Sequence, residues 1–91
     1  MTLTEAIFKQ GRTLAQVGDF QAALENFNRL LELVPNNADG YGYRCVARHK
    51  LGDRAGAIAD CQKAAQLYLA QDQLKKHQYA LKMLSQLTRE A

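Results

Sequence analysis

Proline, glycine and tryptophan are scarce in this chain of 91 residues, which contains one proline, six glycines and no tryptophan. So little proline and glycine excludes collagen-like and Pro/Gly-rich low-complexity chains. Long hydrophobic runs are lacking as well, since no stretch approaches the ~20 apolar residues that a membrane-spanning helix needs. The sequence therefore predicts neither a fibrous nor a membrane-embedded protein.

Cysteine is also rare, and its spacing excludes the usual redox and zinc motifs. Cys45 and Cys61 are sixteen positions apart, unlike a CxxC pair. The N-terminal region carries Glu5, Lys9 and Arg12 where a secretory signal would have an apolar run. We therefore expect two reduced thiols in a cytoplasmic protein.

The residues that are abundant are those of an ordinary soluble domain, with 47% apolar and 23% charged. The length allows a single domain covering residues 1–91. Residues 1–45 carry four basic and five acidic side chains, whereas residues 46–91 carry eight basic and four acidic ones. Because these bases alternate with other residues and form no stripe, we interpret them mainly as solvated helix faces.

Hydrophobic periodicity predicts amphipathic helices along the whole chain. In the first helix, Ile7 and Leu14 lie on one apolar stripe. Thr2 and Glu5 have the spacing of a capping box at its start. A second helix must end before Pro35, which disfavours helix at the preceding residue and lacks an amide hydrogen. Nothing alternates with a period of two, so we predict no strands.

The sequence overlays on itself after a shift of 34 residues. Gly18 and Asp19 fall on Gly52 and Asp53. Each glycine can end a helix in the left-handed conformation, and each aspartate can cap the next helix. A 34-residue period of paired helices is typical of a repeat architecture. The other coincidences are Gly11 with Cys45, Ala23 with Ala57, Leu24 with Ile58, and Leu33 with Leu67.

Two stretches carry the same set of small, apolar and turn-forming residues. The first contains Gly11, Gly18, Asp19, Phe20, Ala23, Phe27, Leu33, Pro35 and Asn36, and the second Tyr41, Cys45, Gly52, Asp53, Ala57, Ala64 and Leu67. This set resembles the tetratricopeptide repeat family. The resemblance implies an all-α solenoid with repeat 1 at about residues 4–37 and repeat 2 at about 38–71. The second stretch departs from the pattern at Leu69, where proline is expected, and at Cys61, where an aromatic residue is usual.

The last twenty residues match no third repeat well. They carry a helical seam of Leu74, His77, Leu81 and Leu84, with Ala80 and Leu87 beside it. The family commonly ends with a solvating helix, because a stack otherwise leaves its terminal apolar face in water. We predict a fifth, capping helix over about residues 73–89, with Asp72 as its N-cap. One long helix continuous with the preceding one is the alternative.

Signals for catalysis and for metal binding are weak. His49 and His77 have no His, Cys or carboxylate partner at ligand spacing. We interpret His77 as a half-buried packing residue and His49 as a residue at a helix C-terminus. Cys45 and Cys61 are interpreted as small buried apolar residues. With no Gly-rich phosphate loop and no Ser-centred elbow, we expect no enzymatic activity, no cofactor and no metal.

In the family that the sequence resembles, the first helix of each repeat lines the concave side of the superhelix. This geometry implies a partner-binding groove of aromatic, aliphatic and basic side chains. Its residues are Phe8, Lys9, Arg12, Tyr43, Val46, His49 and Lys50. Phe8 and Tyr43 are the best hot-spot candidates by residue type. The alternative is that Phe8 packs against the second repeat and that Lys9 and Arg12 are ordinary solvated residues.

We therefore predict a non-catalytic interaction module that presents this groove to a peptide or protein partner. The carboxylate clamp of some family members is not expected, because Phe8 and Arg12 stand where it has Lys and Asn. Homo-oligomerisation through exposed apolar flanks is an alternative. A third hypothesis is an acidic partner or nucleic acid on the basic C-terminal half, which a steep salt dependence would reveal. Its bases are Arg44, Arg48, Lys50, Arg54, Lys75, Lys76 and Lys82.

Overall fold

Five helices make up the computed structural model, which describes residues 1–89. They are α1 (Leu3–Gln16), α2 (Phe20–Leu33), α3 (Ala38–Lys50), α4 (Arg54–Ala70) and α5 (Leu74–Arg89). No strand occurs in residues 1–89, which confirms the all-α prediction. None of these five helices is both long enough and apolar enough to cross a membrane. The predicted domain runs to Ala91, and Glu90 and Ala91 lie outside the described residues.

Four of the helices begin at a side chain that accepts a hydrogen bond from an amide of the first turn. Thr2 caps α1 in this way, and the Glu5 carboxylate reaches back to accept a hydrogen bond from the Thr2 hydroxyl (3.0 Å). Asp19, Asn37 and Asp53 cap α2, α3 and α4. Each cap satisfies one of the amide donors that a helix start leaves without a partner.

The turns that end α1, α3 and α4 share one backbone geometry. Gly18, Gly52 and Asp72 have positive φ angles of 85°, 87° and 58°. In each turn the amides of this residue and of the next one donate to carbonyls at the helix end. Glycine adopts this conformation freely, and aspartate tolerates it better than most residues. The prediction that Asp72 caps α5 is wrong, because Asp72 is the left-handed residue that ends α4. This turn also separates α4 from α5, so the two are not one continuous helix.

The stripe through which α5 packs on α4 differs in part from the predicted seam. Its buried and half-buried residues are His77, Ala80, Met83, Leu84 and Leu87. Leu74 and Leu81 are 56% and 45% exposed, so their placement in the seam is wrong. The buried stripe runs instead through the small residue Ala80, whose carbonyl lies 3.1 Å from the Cys61 thiol of α4. This close backbone approach rotates Leu74 and Leu81 away from the interface.

Side-chain hydrogen bonds join α4 and α5 at both ends of their interface. His77 Nδ1 donates to the carbonyl oxygen of Ala65 (2.8 Å). The Arg54 guanidinium donates to the carbonyl oxygens of Leu87 (2.9 Å) and Thr88 (3.3 Å). Arg54 thus satisfies acceptors in the last turn of α5 that have no partner within the helix.

The buried core consists of two clusters, one for each helix pair. The first joins α1 and α2 and contains Ile7, Ala23, Phe27 and Leu30. Gly11 lies directly against the Phe27 ring, since a Cβ added at Gly11 would come within 2.8 Å of it. The second cluster joins α3, α4 and α5 and contains Ala38, Cys45, Ala57, Cys61, Ala64, Ala65, Tyr68, Ala80 and Leu87.

Candidate binding cleft

A cleft of about 450 Å³ opens between α1, α3 and α5, and we call it the α1–α3–α5 cleft. Such a volume lies within the usual range of ligand-binding clefts. The lining residues are Phe8 and Arg12 of α1; Asp39, Gly42, Tyr43 and Val46 of α3; Cys61 and Tyr68 of α4; and Lys75, Lys76, Tyr79, Ala80 and Met83 of α5. The cleft therefore combines aromatic and apolar side chains with several cations.

Aromatic rings form the wall between α1 and α3. The Tyr43 ring stacks on Phe27 with centroids 5.8 Å apart, and Phe8 meets Tyr43 edge-on at 5.3 Å. Such pairs contribute about 0.5–1.5 kcal/mol each beyond the area that they bury. Tyr43 is nevertheless 37% exposed, so its outer face remains open to a ligand. Phe8 both lines the cleft and packs against the second helix pair, as the alternative interpretation held.

The charged side chains of the cleft are mostly cations. The Arg12 guanidinium lies 5.5 Å from the centre of the Phe8 ring, within cation–π range. Lys76 lies 3.3 Å from both carboxylate oxygens of Asp39. Lys75 of the same helix is exposed and also lines the cleft. Three cations thus share the cleft with one carboxylate, which favours an anionic group in a ligand.

Asp39 is held in place by a second neighbour, Tyr68. The Tyr68 hydroxyl donates a hydrogen bond to the Asp39 carboxylate (2.5 Å). Burial and this interaction with Asp39 raise the pKa of Tyr68 above its usual range, so the phenol stays protonated as the donor. Asp39, Tyr68 and Lys76 therefore link α3, α4 and α5 through side-chain contacts along one wall of the cleft.

A second cleft of about 370 Å³ adjoins the first at the N-terminal end of the chain. It is lined by Met1, Thr4, Glu5, Phe8, Lys9, Arg12, Asn37 and Asp39. Phe8, Arg12 and Asp39 line both clefts. The two clefts therefore form one continuous groove along α1 and α3.

The predicted groove residues divide into three groups. Phe8, Arg12, Tyr43 and Val46 line the α1–α3–α5 cleft. Lys9 lines only the second cleft. His49 and Lys50 lie at the C-terminal end of α3, outside the lining of both clefts. The structure thus brings four of the seven predicted groove residues together in one cleft.

Sequence reasoning missed the contribution of α5. Lys75, Tyr79 and Met83 all line the α1–α3–α5 cleft, and Tyr79 is 67% exposed. The sequence does indicate this face of α5, since these three residues are spaced four apart and therefore lie on one side of the helix. It was overlooked because the leucines of the same helix form a more conspicuous stripe.

Two of the residues that line the cleft, Cys61 and Met83, contain sulfur. Both cysteines are free and buried, as predicted. Contact with the Cys61 thiol and burial raise the pKa of Cys45, so this thiol is not an activated nucleophile. Among the residues that the structure describes, no three His, Cys, Asp or Glu side chains come together in a way that could hold a metal ion.

Several bases of the C-terminal half are engaged in intramolecular contacts. Arg44 donates two hydrogen bonds to the Asp60 carboxylate (2.7 and 2.9 Å), and Arg48 donates a third (3.0 Å). Arg54 binds backbone carbonyls of α5, and Lys76 pairs with Asp39. Four of the seven bases considered for an acidic partner or nucleic acid are therefore committed within the fold.

Comparison with protein families matches residues 4–37 to a tetratricopeptide repeat. The chain is 39% identical over 64 residues to "Tetratricopeptide repeat protein 36" of Mus musculus, a match covering 70% of this chain and 34% of the relative. The Danio rerio protein of that name is 38% identical over 58 residues, covering 64% and 31%. "Protein FlbA" of Caulobacter vibrioides is 31% identical over 70 residues, covering 77% and 12%. The chain thus spans about a third of the length of the two animal relatives.

Proposed function

Because the chain belongs to the tetratricopeptide repeat family, whose domains generally mediate protein–protein interactions without catalysis, we propose that it binds an extended peptide segment of a partner protein in the α1–α3–α5 cleft. In this proposal α1 with α2 and α3 with α4 are two repeats, at about residues 4–37 and 38–71, and α5 is the capping helix. The two buried reduced thiols suit a cytoplasmic setting.

The composition of the cleft is the observation that carries the proposal. Tyr43 and Tyr79 offer exposed aromatic surface on opposite sides, and Val46 and Met83 add apolar surface between them. Arg12 stands at the edge as a planar cation that can bind a carboxylate through two hydrogen bonds. Peptide grooves combine such apolar pockets with a few polar groups that fix the orientation of the ligand.

The test uses a peptide selected from a random library on the wild-type chain and then labelled for fluorescence polarisation. Arg12→Glu and Tyr79→Ala change the cleft without opening the core, since both side chains are exposed. Each substitution is expected to raise Kd roughly tenfold or more, as hot-spot losses of about 1.4 kcal/mol or more do. Arg29→Glu, the same charge reversal on the exposed face of α2, is the control and leaves Kd unchanged.

Circular dichroism and thermal unfolding of all variants show that differences in Kd do not come from loss of fold. Light scattering of the wild-type chain measures the self-association that exposed apolar flanks would produce. Equal Kd values for the wild type and all three variants would contradict binding in the cleft. Concentration-dependent dimerisation without peptide binding would favour the assembly alternative.

A further inference from the structure

Three of the four sulfur atoms of the chain meet beneath the α1–α3–α5 cleft. Cys45 Sγ lies 3.6 Å from Met83 Sδ, towards which its S–H is directed. Cys45 and Cys61 belong to the same buried cluster, and Met83 packs against that cluster. The chain has two cysteines and two methionines, so only Met1 lies outside this sulfur cluster.

The sulfur cluster is buried and adjoins the α1–α3–α5 cleft. Its members come from α3, α4 and α5, and Cys45 and Cys61 are 0% and 1% exposed. The Cys61 thiol is fixed by a hydrogen bond to the Ala80 carbonyl oxygen (3.1 Å). Cys61 and Met83 both line the cleft above, so a small ion can reach the sulfurs from that side.

We propose that Cys45, Cys61 and Met83 form a binding site for Cu(I). Thiolate and thioether sulfurs are soft ligands, which select Cu(I) over hard cations. Zn²⁺ prefers four nitrogen or sulfur ligands, and within residues 1–89 no histidine or carboxylate joins the three sulfurs to form a metal-binding group. An ion about 2.3 Å from each of two sulfurs that lie 3.6 Å apart subtends an angle of roughly 100°, near the tetrahedral value.

Loading requires proton release and no electron transfer. The S–H bonds of Cys45 and Cys61 break, each sulfur forms a bond to the ion, and the two protons leave to solvent. The Met83 thioether adds a neutral lone pair, which already faces the Cys45 thiol. The ion enters and remains as Cu(I), so no oxidant or reductant is consumed. Because the ligands come from three helices, loading also joins α5 to α3 and α4.

The experiment titrates the reduced full chain with Cu(I) under anaerobic conditions against a competing Cu(I) chelator such as bicinchoninate. The wild type is expected to bind one ion per chain and to show a raised Tm when loaded, because the ion binds only the folded state. X-ray absorption is expected to find three sulfur neighbours around the copper.

The variants separate the site from general thiol binding. Cys45→Ala is expected to abolish competitive binding, and it suits the fold because glycine occupies the corresponding position, 11, in α1. Met83→Leu conserves volume and keeps both thiols, and it is expected to weaken binding roughly tenfold or more. Val17→Ala, which shortens an exposed apolar side chain at the C-terminal end of α1, is the control and leaves the affinity unchanged.

Three results would overturn the proposal. The first is Cu(I) binding by Cys45→Ala as tight as that of the wild type. The second is an unchanged affinity in Met83→Leu together with only two sulfur neighbours in the absorption spectrum. The third is binding of Zn²⁺ as strong as that of Cu(I). Thermal unfolding of each apo variant confirms that a loss of binding is not a loss of fold.

Discussion

The first helix pair, α1 with α2, packs a phenylalanine against a glycine, whereas the second, α3 with α4, has a cysteine at each of the corresponding positions. Gly11 corresponds to Cys45, and Phe27 to Cys61, 34 residues on. In the first pair the Phe27 ring occupies the space that a side chain at Gly11 would need. In the second pair two side chains of middle size share that space, and Met83 of α5 packs beside them.

Two polar side chains meet at the edge of each helix pair, and these contacts also differ between the first and the second pair. In the first pair, the Asn26 amide donates to the Gln10 side-chain oxygen (3.0 Å) in an exposed hydrogen bond. At the corresponding positions of the second pair, Arg44 binds the buried carboxylate of Asp60 through two hydrogen bonds. Positions 34 residues apart therefore make the same contacts in the two helix pairs, while the side chains that make these contacts differ.

The largest difference is expected when the polar pairs are broken. Asp60→Ala leaves the largely buried guanidinium of Arg44 without its carboxylate, which costs about 3 kcal/mol of unfolding free energy. Asn26→Ala, at the corresponding position, removes neutral hydrogen bonds to the Gln10 side chain and, at 3.4 Å, to the Ile7 carbonyl oxygen, and costs about 1 kcal/mol. Urea denaturation measures both values. Equal losses would mean that the charged pair contributes no more than the neutral one.

Substituting alanine at the two small positions is expected to give the next largest effect. Gly11→Ala forces a Cβ to within 2.8 Å of the Phe27 ring, and such overpacking costs about 1–3 kcal/mol. Cys45→Ala removes one buried heavy atom and costs about 1 kcal/mol.

The double variant Gly11→Ala/Phe27→Leu is the control for the cause of the Gly11→Ala effect. In a double-mutant cycle from urea denaturation, the smaller side chain at position 27 is expected to relieve part of the Gly11→Ala loss. Strict additivity of the two changes would contradict the steric explanation.

The smallest effect concerns the turns. Asp72 is the single non-glycine among the three left-handed turn residues of the described chain, so Asp72→Gly is expected to stabilise the fold by about 0.5–1 kcal/mol. Gly52→Ala, the opposite change in an equivalent turn, is expected to lose about 1 kcal/mol. Thermal unfolding measures whether each variant has a higher or a lower Tm than the wild type. A lower Tm for Asp72→Gly would show that the aspartate side chain contributes more than its backbone conformation costs.

The helices and turns that the sequence predicted are those marked by residues with few conformational options. Gly18 and Gly52 end helices, Asp19 caps the next one, and Pro35 follows the end of α2. The turn at Asp72 lacks glycine, and the same backbone geometry was therefore interpreted as an N-cap. The packing face of α5 was harder to predict because the helix has apolar residues on two adjacent stripes. Its orientation depends on how closely Ala80 approaches α4, which the sequence does not encode locally.

The part of the candidate cleft that α1 and α3 contribute was predictable from the sequence. Phe8, Arg12, Tyr43 and Val46 follow from the repeat register, because α1 and α3 present the same face. Lys75 and Tyr79 could not be placed by that register, since α5 lies outside the two stretches that the 34-residue shift relates. The sulfur cluster was also out of reach, because Met83 lies 38 residues from Cys45 and meets it only through the docking of α5.

The central claim is that α1, α3 and α5 together form a peptide-binding cleft, and a titration of the ¹⁵N-labelled chain with the selected peptide tests it most directly. Binding in the cleft predicts the largest amide shift changes around Phe8, Tyr43 and Tyr79, one residue on each of the three helices. Shift changes centred on the outward faces of α2 and α4, with those three residues unmoved, would contradict the account.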